Sequence, residues 1–211
     1  MASILKGALI QLENSLVSVE PNVIIFDINP EKFTHKLTPW NPFEGDQALR
    51  GAQAPNVQPF DPKESYDFDV ELDSSVAGVF DDGTGVASQI AAYKKLTMPS
   101  QGIYSDLVNA VNALTGGSSE AARPTVPVIL FAWGPGLIVP VRISSFQVDV
   151  SEFNNLLFPV KATIKLSLEV LTPDLFKCRH DSATDLAIAA YKTNKIAENA
   201  LAALQLVKRM V

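Results

Sequence analysis

The sequence predicts an α+β protein that is mainly β, an antiparallel β-sandwich or barrel with two short inserted helices and a C-terminal helix. Three observations favour this class. Segments with period-two alternation of apolar and polar side chains are grouped before Pro173. Helical spacing is confined to one insertion and to the C-terminal end. Strands and helices do not alternate, as a parallel βαβ fold would require.

The clearest predicted strand spans residues 65–73, where Tyr66, Phe68, Val70 and Leu72 alternate with acidic side chains. Earlier, the apolar runs 7–12 and 22–28 are separated by a Glu-Pro-Asn turn composition, which predicts an opening β-hairpin. Later, the apolar run 127–133 and the alternating segments 137–150 and 157–171 predict three more strands. The last two form a long central hairpin.

Helical segments are predicted at three places. Val86, Ile90, Tyr93 and Leu96 have helical spacing and predict a helix over 86–97, and a second helix is predicted over 103–114. From Asp185 onward the chain is rich in alanine, with an apolar stripe at steps of three, four or seven. We therefore assign 1–175 to one β domain, with a long Pro-rich loop at 39–63 and a helical insertion at 86–114, and 176–211 to a C-terminal amphipathic helix.

Composition excludes several classes of function. The formal net charge of -6 and the absence of a basic run argue against nucleic-acid binding, which needs clustered Lys and Arg. Cys178 is the only cysteine, so one chain can form neither an intramolecular disulfide nor a Cys-based zinc site. The N-terminus lacks the pattern of a signal peptide, and no apolar run suits a membrane span. We expect a protein made in the cytoplasm without direct membrane insertion.

No motif predicts catalysis, a cofactor or a metal. The alternating acidic residues of 67–73 could bind a cation, but the solvated face of a strand explains them better. The Asp-Asp-Gly segment at 81–83 lacks the Gly-Lys-Ser/Thr ending of a phosphate-binding loop. Ser144 and Ser145 have no nucleophile elbow, and neither His35 nor His180 has the context of a general base. We expect a protein that is not an enzyme.

Six segments, taken in order, resemble the N-terminal tube-like domain of tube-initiator and baseplate-adaptor proteins of extracellular contractile injection systems, which are phage-tail-like particles. The resemblance covers roughly residues 5–172, with Ile28 standing where an aromatic residue is common. The segments are 6–10 (KGALI), 25–31 (IFDINPE), 68–73 (FDVELD), 127–134 (PVILFAWG), 139–143 (VPVRI) and 158–162 (FPVKA).

The resemblance implies a tail-tube-like fold and a structural role. Such subunits form hexameric rings in which sheets of neighbouring copies join into one inner barrel. The implied partners are further copies of the chain, the inner tube protein, the spike or hub, and other baseplate or sheath proteins. The assembled particle is either retained in the cytoplasm or released. Many relatives carry a peptidoglycan-binding LysM module where this sequence has a helix, so cell-wall binding does not carry over.

The hairpin of 139–150 and 159–171 is the candidate for lining the ring, and the terminal helix is the candidate for docking on a partner. On that view, removal of residues 181–211 would leave a folded β domain that assembles poorly. The interface candidates are Val141, Ile143, Ile164, Leu166, Leu168, Leu186, Ile196 and Leu204.

Three alternatives remain at this stage. One is an inner-tube or other junction protein of the same particle. Another is a monomeric sandwich that binds a small ligand or glycan through Trp40, Trp133 and the Pro-rich loop. The third is an enzyme that uses Asp69, Glu71 or His180.

Overall fold

A computed structural model describes residues 5–12, 22–39, 60–76, 83–98, 126–176 and 181–208. The predicted helix 103–114 and most of the predicted loop 39–63 lie outside these residues. The elements are β1 (Ala8–Leu12), β2 (Val23–Ile25), β3 (Phe33–Thr38), β4 (Lys63–Asp73), α1 (Ala87–Lys95), β5 (Val128–Ala132), β6 (Ile138–Phe153), β7 (Pro159–Val170), a 3-10 turn (Pro173–Phe176) and α2 (Ser182–Lys208).

The strands form one sheet of seven, in the order β2-β1-β5-β6-β7-β4-β3, and every pair is antiparallel. The predicted mainly β class is confirmed, as are the opening hairpin of β1 with β2 and the long hairpin of β6 with β7. Within the described chain the sheet ends at β2 and β3 and is not closed.

Period-two alternation correctly predicts which side chains of the central strands β4 and β7 are buried. Tyr66, Phe68, Val70 and Leu72 of β4 are buried, because alternate side chains of a strand point to the same face. The same parity buries every second residue of β7 from Ala162 to Val170. β3 was not predicted from the sequence; it pairs with the first half of β4, from Phe33↔Phe68 to Thr38↔Lys63.

The sheet curls, and an aromatic cluster fills the inside of the curl. The rings of Phe68 on β4 and Phe131 on β5 stack with centroids 5.4 Å apart, although β6 and β7 separate these strands in the sheet. Three strand spacings in a flat sheet would be about 14 Å. Trp133 packs edge-on against Phe33 at 5.4 Å and lies 6.4 Å from Phe26. The two wings of the sheet therefore face each other across one core.

The two helices lie near opposite ends of the long strands. α1 confirms the helix predicted at 86–97, and Val86, Tyr93 and Leu96 are buried beside it. The backbone N–H of Val86 donates to the carbonyl of Pro159 at 2.8 Å, next to the turn between β6 and β7. α2 packs on β5 and β6, and its polar contacts reach Glu64 at the start of β4.

The terminal helix is confirmed, and its start has a clear local cause. The carboxylate of Asp181 accepts hydrogen bonds from the backbone N–H and the hydroxyl of Thr184, at 2.8 and 2.7 Å, as a helix N-cap does. The helix is joined to the sheet through the core, because Tyr191 belongs to the same buried cluster as the strand residues.

Candidate assembly surfaces

The candidates chosen on β6 and β7 are core residues. Val141, Ile164, Leu166 and Leu168 are fully or almost fully buried within the chain, and Ile143 packs beside them half-buried. Their side chains are covered by the chain's own strands, so they do not form an outer surface. Period-two alternation identifies the apolar face of a strand, but both a core and an interface require such a face. The pattern alone therefore does not distinguish a core strand from an interface strand.

The opposite face of the sheet is polar and carries a pattern of paired charges. Lys165 of β7 lies directly beside Asp69 of β4 and donates to Asp149 of β6 at 2.8 Å. Nearer the turn, Lys161 lies 3.8 Å from Asp73 and 3.3 Å from Glu152. These groups are exposed or partly exposed, so each pair contributes little to the stability of the fold.

The paired charges on this face shift one another's pKa values. The hydrogen bond from Lys165 lowers the pKa of Asp149, and the same bond raises the pKa of Lys165. Hydrogen bonds from Ser75 lower the pKa of Asp73, with a smaller contribution from Lys161. Among the described residues no group of His, Cys, Asp and Glu side chains is arranged to hold a metal ion.

Two strand edges beside the polar face lack a partner strand among the described residues. One is the outer edge of β3, where the sheet ends. The other is the outer edge of β6 beyond Val141, because β5 pairs with β6 only from Ile138 to Val141. The rest of β6, up to Phe153, pairs with β7 on one side alone. Unpaired backbone N–H and C=O groups on such edges are templates for another strand.

The apolar stripe predicted on the terminal helix is exposed from Leu186 to Leu204; the side chain of its last predicted member, Val207, lies outside the described part of the chain. We call it the α2 stripe: Leu186, Ala189, Ile196, Ala200 and Leu204, all of them exposed. The helix packs on its own sheet with another side, formed by Ala183, Ala187, Tyr191 and Asn194.

The turn between β6 and β7 presents a second exposed apolar surface, which we call the hairpin tip (residues 153–158). Leu156 and Leu157 are 74% and 80% exposed, and Phe153 is 58% exposed. The side-chain oxygen of Asn154 accepts hydrogen bonds from the backbone N–H groups of Leu156 and Phe158, both at 2.9 Å. The tip is therefore a preformed loop that holds large apolar side chains in solvent.

The backbone behind the hairpin tip is tightly packed. Gly85, with a φ of +59°, lies so close to β7 that a Cβ there would overlap the carbonyl oxygen of Pro159. The side chain of Asn154 also reaches the carbonyl of Gly83, at 3.5 Å. The tip thus rests on the segment that leads into α1.

A polar network joins the β3 edge to α2. Glu64 is only 3% exposed, and its Oε1 accepts a hydrogen bond from the Tyr66 hydroxyl at 2.7 Å and lies 2.8 Å from His35 Nε2. Its Oε2 lies 3.6 Å from Lys195 Nζ, which also contacts Glu198 at 3.1 Å. A buried carboxylate needs such partners, because its desolvation is otherwise costly.

We expect the folded chain to lose stability in alkaline solution. Burial raises the pKa values of Tyr66, Tyr93 and Tyr191 above 10.0, and the hydrogen bond to Glu64 further raises that of Tyr66. In the unfolded chain these phenols ionise near their ordinary pKa, whereas in the fold they stay protonated. The contribution of the three phenols to the free energy of unfolding is therefore complete below about pH 10 and falls as the pH rises above it.

Urea unfolding at a series of pH values measures this effect. The free energy of unfolding should fall less steeply above about pH 10 in Tyr93→Phe than in the unchanged protein, because the variant lacks one of the buried phenols. Identical slopes in the two proteins would contradict the assignment to Tyr93.

The residues considered for catalysis or glycan binding are not brought together. His35 contacts Glu64 in the network above, whereas Asp69 and Glu71 lie on the polar face of β4. Trp133 is half-buried in the aromatic cluster, so it does not offer an open stacking surface. Trp40 and His180 lie outside the described residues.

The fold and these surfaces define a class: a mainly β, antiparallel protein with one open sheet, exposed apolar surfaces at the hairpin tip and on α2, and strand edges, those of β3 and β6 among them, without partners in the described chain. Comparison with known proteins adds no family to this class, since no family model and no curated protein matches the chain. Among the described residues no helix is both long and apolar enough to span a membrane.

Proposed function

We propose that the protein is a structural subunit of a contractile injection system that forms a ring, expected to be hexameric, by pairing the β3 edge of one copy with the β6 edge of the next. The observation that carries this proposal is the pair of open edges on either side of the polar face. A ring that joined them would remove both edges at once.

Strand directions are compatible with this closure. β3, β4, β7 and β6 are neighbours in that order, and each is antiparallel to the next. β3 and β6 therefore run in opposite directions. When rotation about a ring axis brings β3 of the next copy beside β6, the new pair is antiparallel like every other pair in the sheet.

The lengths of the two edges also allow the stagger of a closed barrel. β3 lies beside the first half of β4, which is level with the C-terminal half of β7. The open part of β6 extends along almost the whole of β7, from Arg142 beside Glu169 to Phe153 beside Pro159, so it offers positions level with β3 and positions shifted from it toward the β6–β7 turn. Strands in a closed barrel are tilted and staggered, so an offset between the joined edges is what closure needs.

In such a ring the polar face lines the channel, which is the role expected for the β6–β7 hairpin. The core and both helices lie on the other side of the four strands. The exposed pairs around Lys161 and Lys165 would then lie on the channel wall. A polar wall suits a water-filled channel, just as the apolar face suits the core.

The proposed position of the ring within the particle rests on the sequence resemblance. That resemblance supports a tube initiator or baseplate adaptor, which joins the spike or hub to the inner tube and contacts other baseplate or sheath proteins within a phage-tail-like particle. The alternative is an inner-tube or other junction protein of the same particle. In every case the role is structural and needs no cofactor.

Disulfide trapping between copies tests the ring directly. In a Cys178→Ser background, Lys36→Cys on β3 is combined with Ser145→Cys, Gln147→Cys or Asp149→Cys on β6. We expect one of the three pairs to form a disulfide between copies, because directly opposed residues of paired strands have the Cα separation that a disulfide needs. Electron microscopy of that variant should show sixfold rings.

Thr163→Cys is the matched control. It lies on the same polar face but on β7, between two strands of its own sheet, so it should not react with Lys36→Cys. A protein that stays monomeric at high concentration and forms no disulfide with any of the three β6 positions would refute the ring.

A further inference from the structure

A small cleft lies between β2, α1 and the end of β4. Its volume is about 240 Å³. That is well above the roughly 10–15 Å³ that one water molecule needs and below the roughly 300–1,000 Å³ of sites for drug-sized ligands. Its polar lining includes Asp27, which follows β2, and Gln89 and Tyr93 of α1. The size of the cleft suits a small ligand or a single side chain.

The side chain of Gln89 brings a buried acceptor to this cleft that has no donor. Its Nε2 donates to Oδ2 of Asp27 at 2.6 Å. Because a carboxylate only accepts hydrogen bonds, this contact fixes which end of the amide is the nitrogen. The other end, the carbonyl Oε1, is buried and has no hydrogen-bond partner among the described residues. A buried carbonyl oxygen is costly to leave without a donor, so a group that supplies one is expected beside it.

Asp27 adds a negative charge to the cleft. In the described part of the chain no Lys or Arg side chain forms an ion pair with it, and its Oδ1 accepts no hydrogen bond. Its charge also acts on Tyr93, which lies four residues after Gln89 on the same face of α1. Burial and, to a smaller extent, the charge of Asp27 raise the pKa of that phenol. The polar side of the cleft is therefore rich in acceptors and negatively charged.

The other side of the cleft is apolar. It is formed by Ile24 of β2, Leu72 of β4 and Ala92 of α1, and Leu72 is almost fully buried. Such walls suit a short alkyl chain, because apolar contact removes it from water. They do not suit a hydrated metal ion. Ca²⁺ takes about six to eight oxygen ligands, which is more than the side chains of this cleft supply.

A primary ammonium group fits the polar side better than a guanidinium group. A guanidinium binds best when it donates to both oxygens of one carboxylate. Here Gln89 already occupies Oδ2 of Asp27, so only the other oxygen is open. An ammonium group is a compact charge with three donors and needs no such pair of oxygens. One carboxylate oxygen and one carbonyl oxygen are suitable partners for it.

We propose that this cleft binds an alkylammonium group, which donates to the Gln89 carbonyl and to the open oxygen of Asp27. The carbon chain packs on Leu72 and its apolar neighbours. Binding gives the buried carbonyl a donor and the carboxylate a counter-charge at the same time. The group is carried by a free amine or by a lysine side chain of another protein. Neither β3 nor β6 contributes to the cleft, so the site does not depend on the proposed ring.

Thermal unfolding in the presence of small amines tests the site. A ligand that binds only the folded protein raises Tm as its concentration increases. The probe is n-butylamine, which is protonated at pH 7, and it is compared at constant ionic strength with n-butanol and n-butylguanidinium. We expect n-butylammonium to raise Tm in a saturable way. Its apparent affinity should be at least about tenfold higher than that of n-butanol, which brings no charge to the hydrogen bonds.

Two variants and a matched control assign the effect to the cleft. Asp27→Asn removes the charge and keeps the shape, and Gln89→Met removes the unpartnered carbonyl. Each should abolish most of the rise in Tm. The control is Asp67→Asn, which changes the net charge by the same amount but lies exposed on the polar face of β4. It should leave the rise unchanged.

A further probe, Nα-acetyl-lysinamide, distinguishes the two sources of the ammonium group. A rise in Tm at least as large as that with n-butylamine assigns the group to a lysine of a partner protein, and a smaller rise assigns it to a free amine.

Four results would overturn the proposal. They are the absence of any rise with n-butylamine, an equal rise with n-butanol, a larger rise with n-butylguanidinium, and an undiminished rise in Asp27→Asn. The first of these would mean that the cleft holds water only.

Discussion

Replacing Ile164 with lysine is expected to abolish cooperative folding. Ile164 is fully buried at the centre of β7, between Val70 of β4 and Val148 of β6. A charged side chain at this position has no buried partner and displaces well-packed apolar groups, which costs about 4 kcal/mol or more. Circular dichroism and urea unfolding of the purified variant measure the loss.

Thr163→Lys is the matched control for this change. The same residue is introduced one position earlier, but the side chain then points to the polar face, beside Glu71 and Asp149. We expect the free energy of unfolding to change by no more than about 0.5 kcal/mol. If the Ile164→Lys protein had the same free energy of unfolding as the Thr163→Lys protein, the buried and polar faces of β7 would be wrongly assigned.

Deletion of residues 181–211 is expected to destabilise the whole sheet. The sequence-based expectation was a folded β domain without the helix, but Ala187 and Tyr191 are buried, and Tyr191 lies in the core cluster with strand residues. Each large apolar side chain that loses its burial costs about 1.5–3 kcal/mol, and the deletion uncovers strand residues as well as removing the helix. The deletion should therefore lower the free energy of unfolding by more than about 4 kcal/mol.

A shorter deletion, of residues 199–211, separates packing from docking. Residues 199–206 are all exposed, so removing this end should change the free energy of unfolding by less than about 1 kcal/mol. Thermal unfolding of both truncated proteins gives the comparison. Equal stability of the longer deletion and the intact chain would contradict the structural role of the first half of α2.

The central strands could be predicted from the sequence because each buries one face. Strict alternation in β4 and β7 follows from a core on one side and solvent on the other, and both strands were placed within two residues. β3 was missed because it is a short edge strand with little burial. Phe33, His35 and Leu37 do alternate with Thr34, Lys36 and Thr38, but His35 is itself polar and Leu37 is exposed, so the apolar pattern of β3 is weak. Its pairing with β4 is a long-range interaction that local periodicity does not report.

The helix α2 was predicted correctly, but the side of it that packs on the sheet was not identified. Large apolar residues mark the α2 stripe, whereas the side that packs on the sheet is built from two alanines, a tyrosine and an asparagine. Small residues allow a helix to approach a sheet closely, so hydrophobicity alone does not identify the side that packs on the sheet.

The hairpin tip was overlooked for a related reason. Leu157 and Phe158 were included in the strand predicted over 157–171, yet leucines that follow two asparagines between strands are themselves a sign of an exposed apolar surface. Their orientation depends on the hydrogen bonds of Asn154, which require the folded turn.

The even number of strands beside the polar face has a consequence for the size of the assembly. Because β3 and β6 run in opposite directions, every junction between copies in the proposed ring would be antiparallel whatever the number of copies. Backbone pairing therefore places no restriction on that number. The angle between neighbouring copies must be set by strand tilt and by the side chains at the junction. Substitutions at the β3 edge that preserve pairing are thus the changes by which rings of another size would arise.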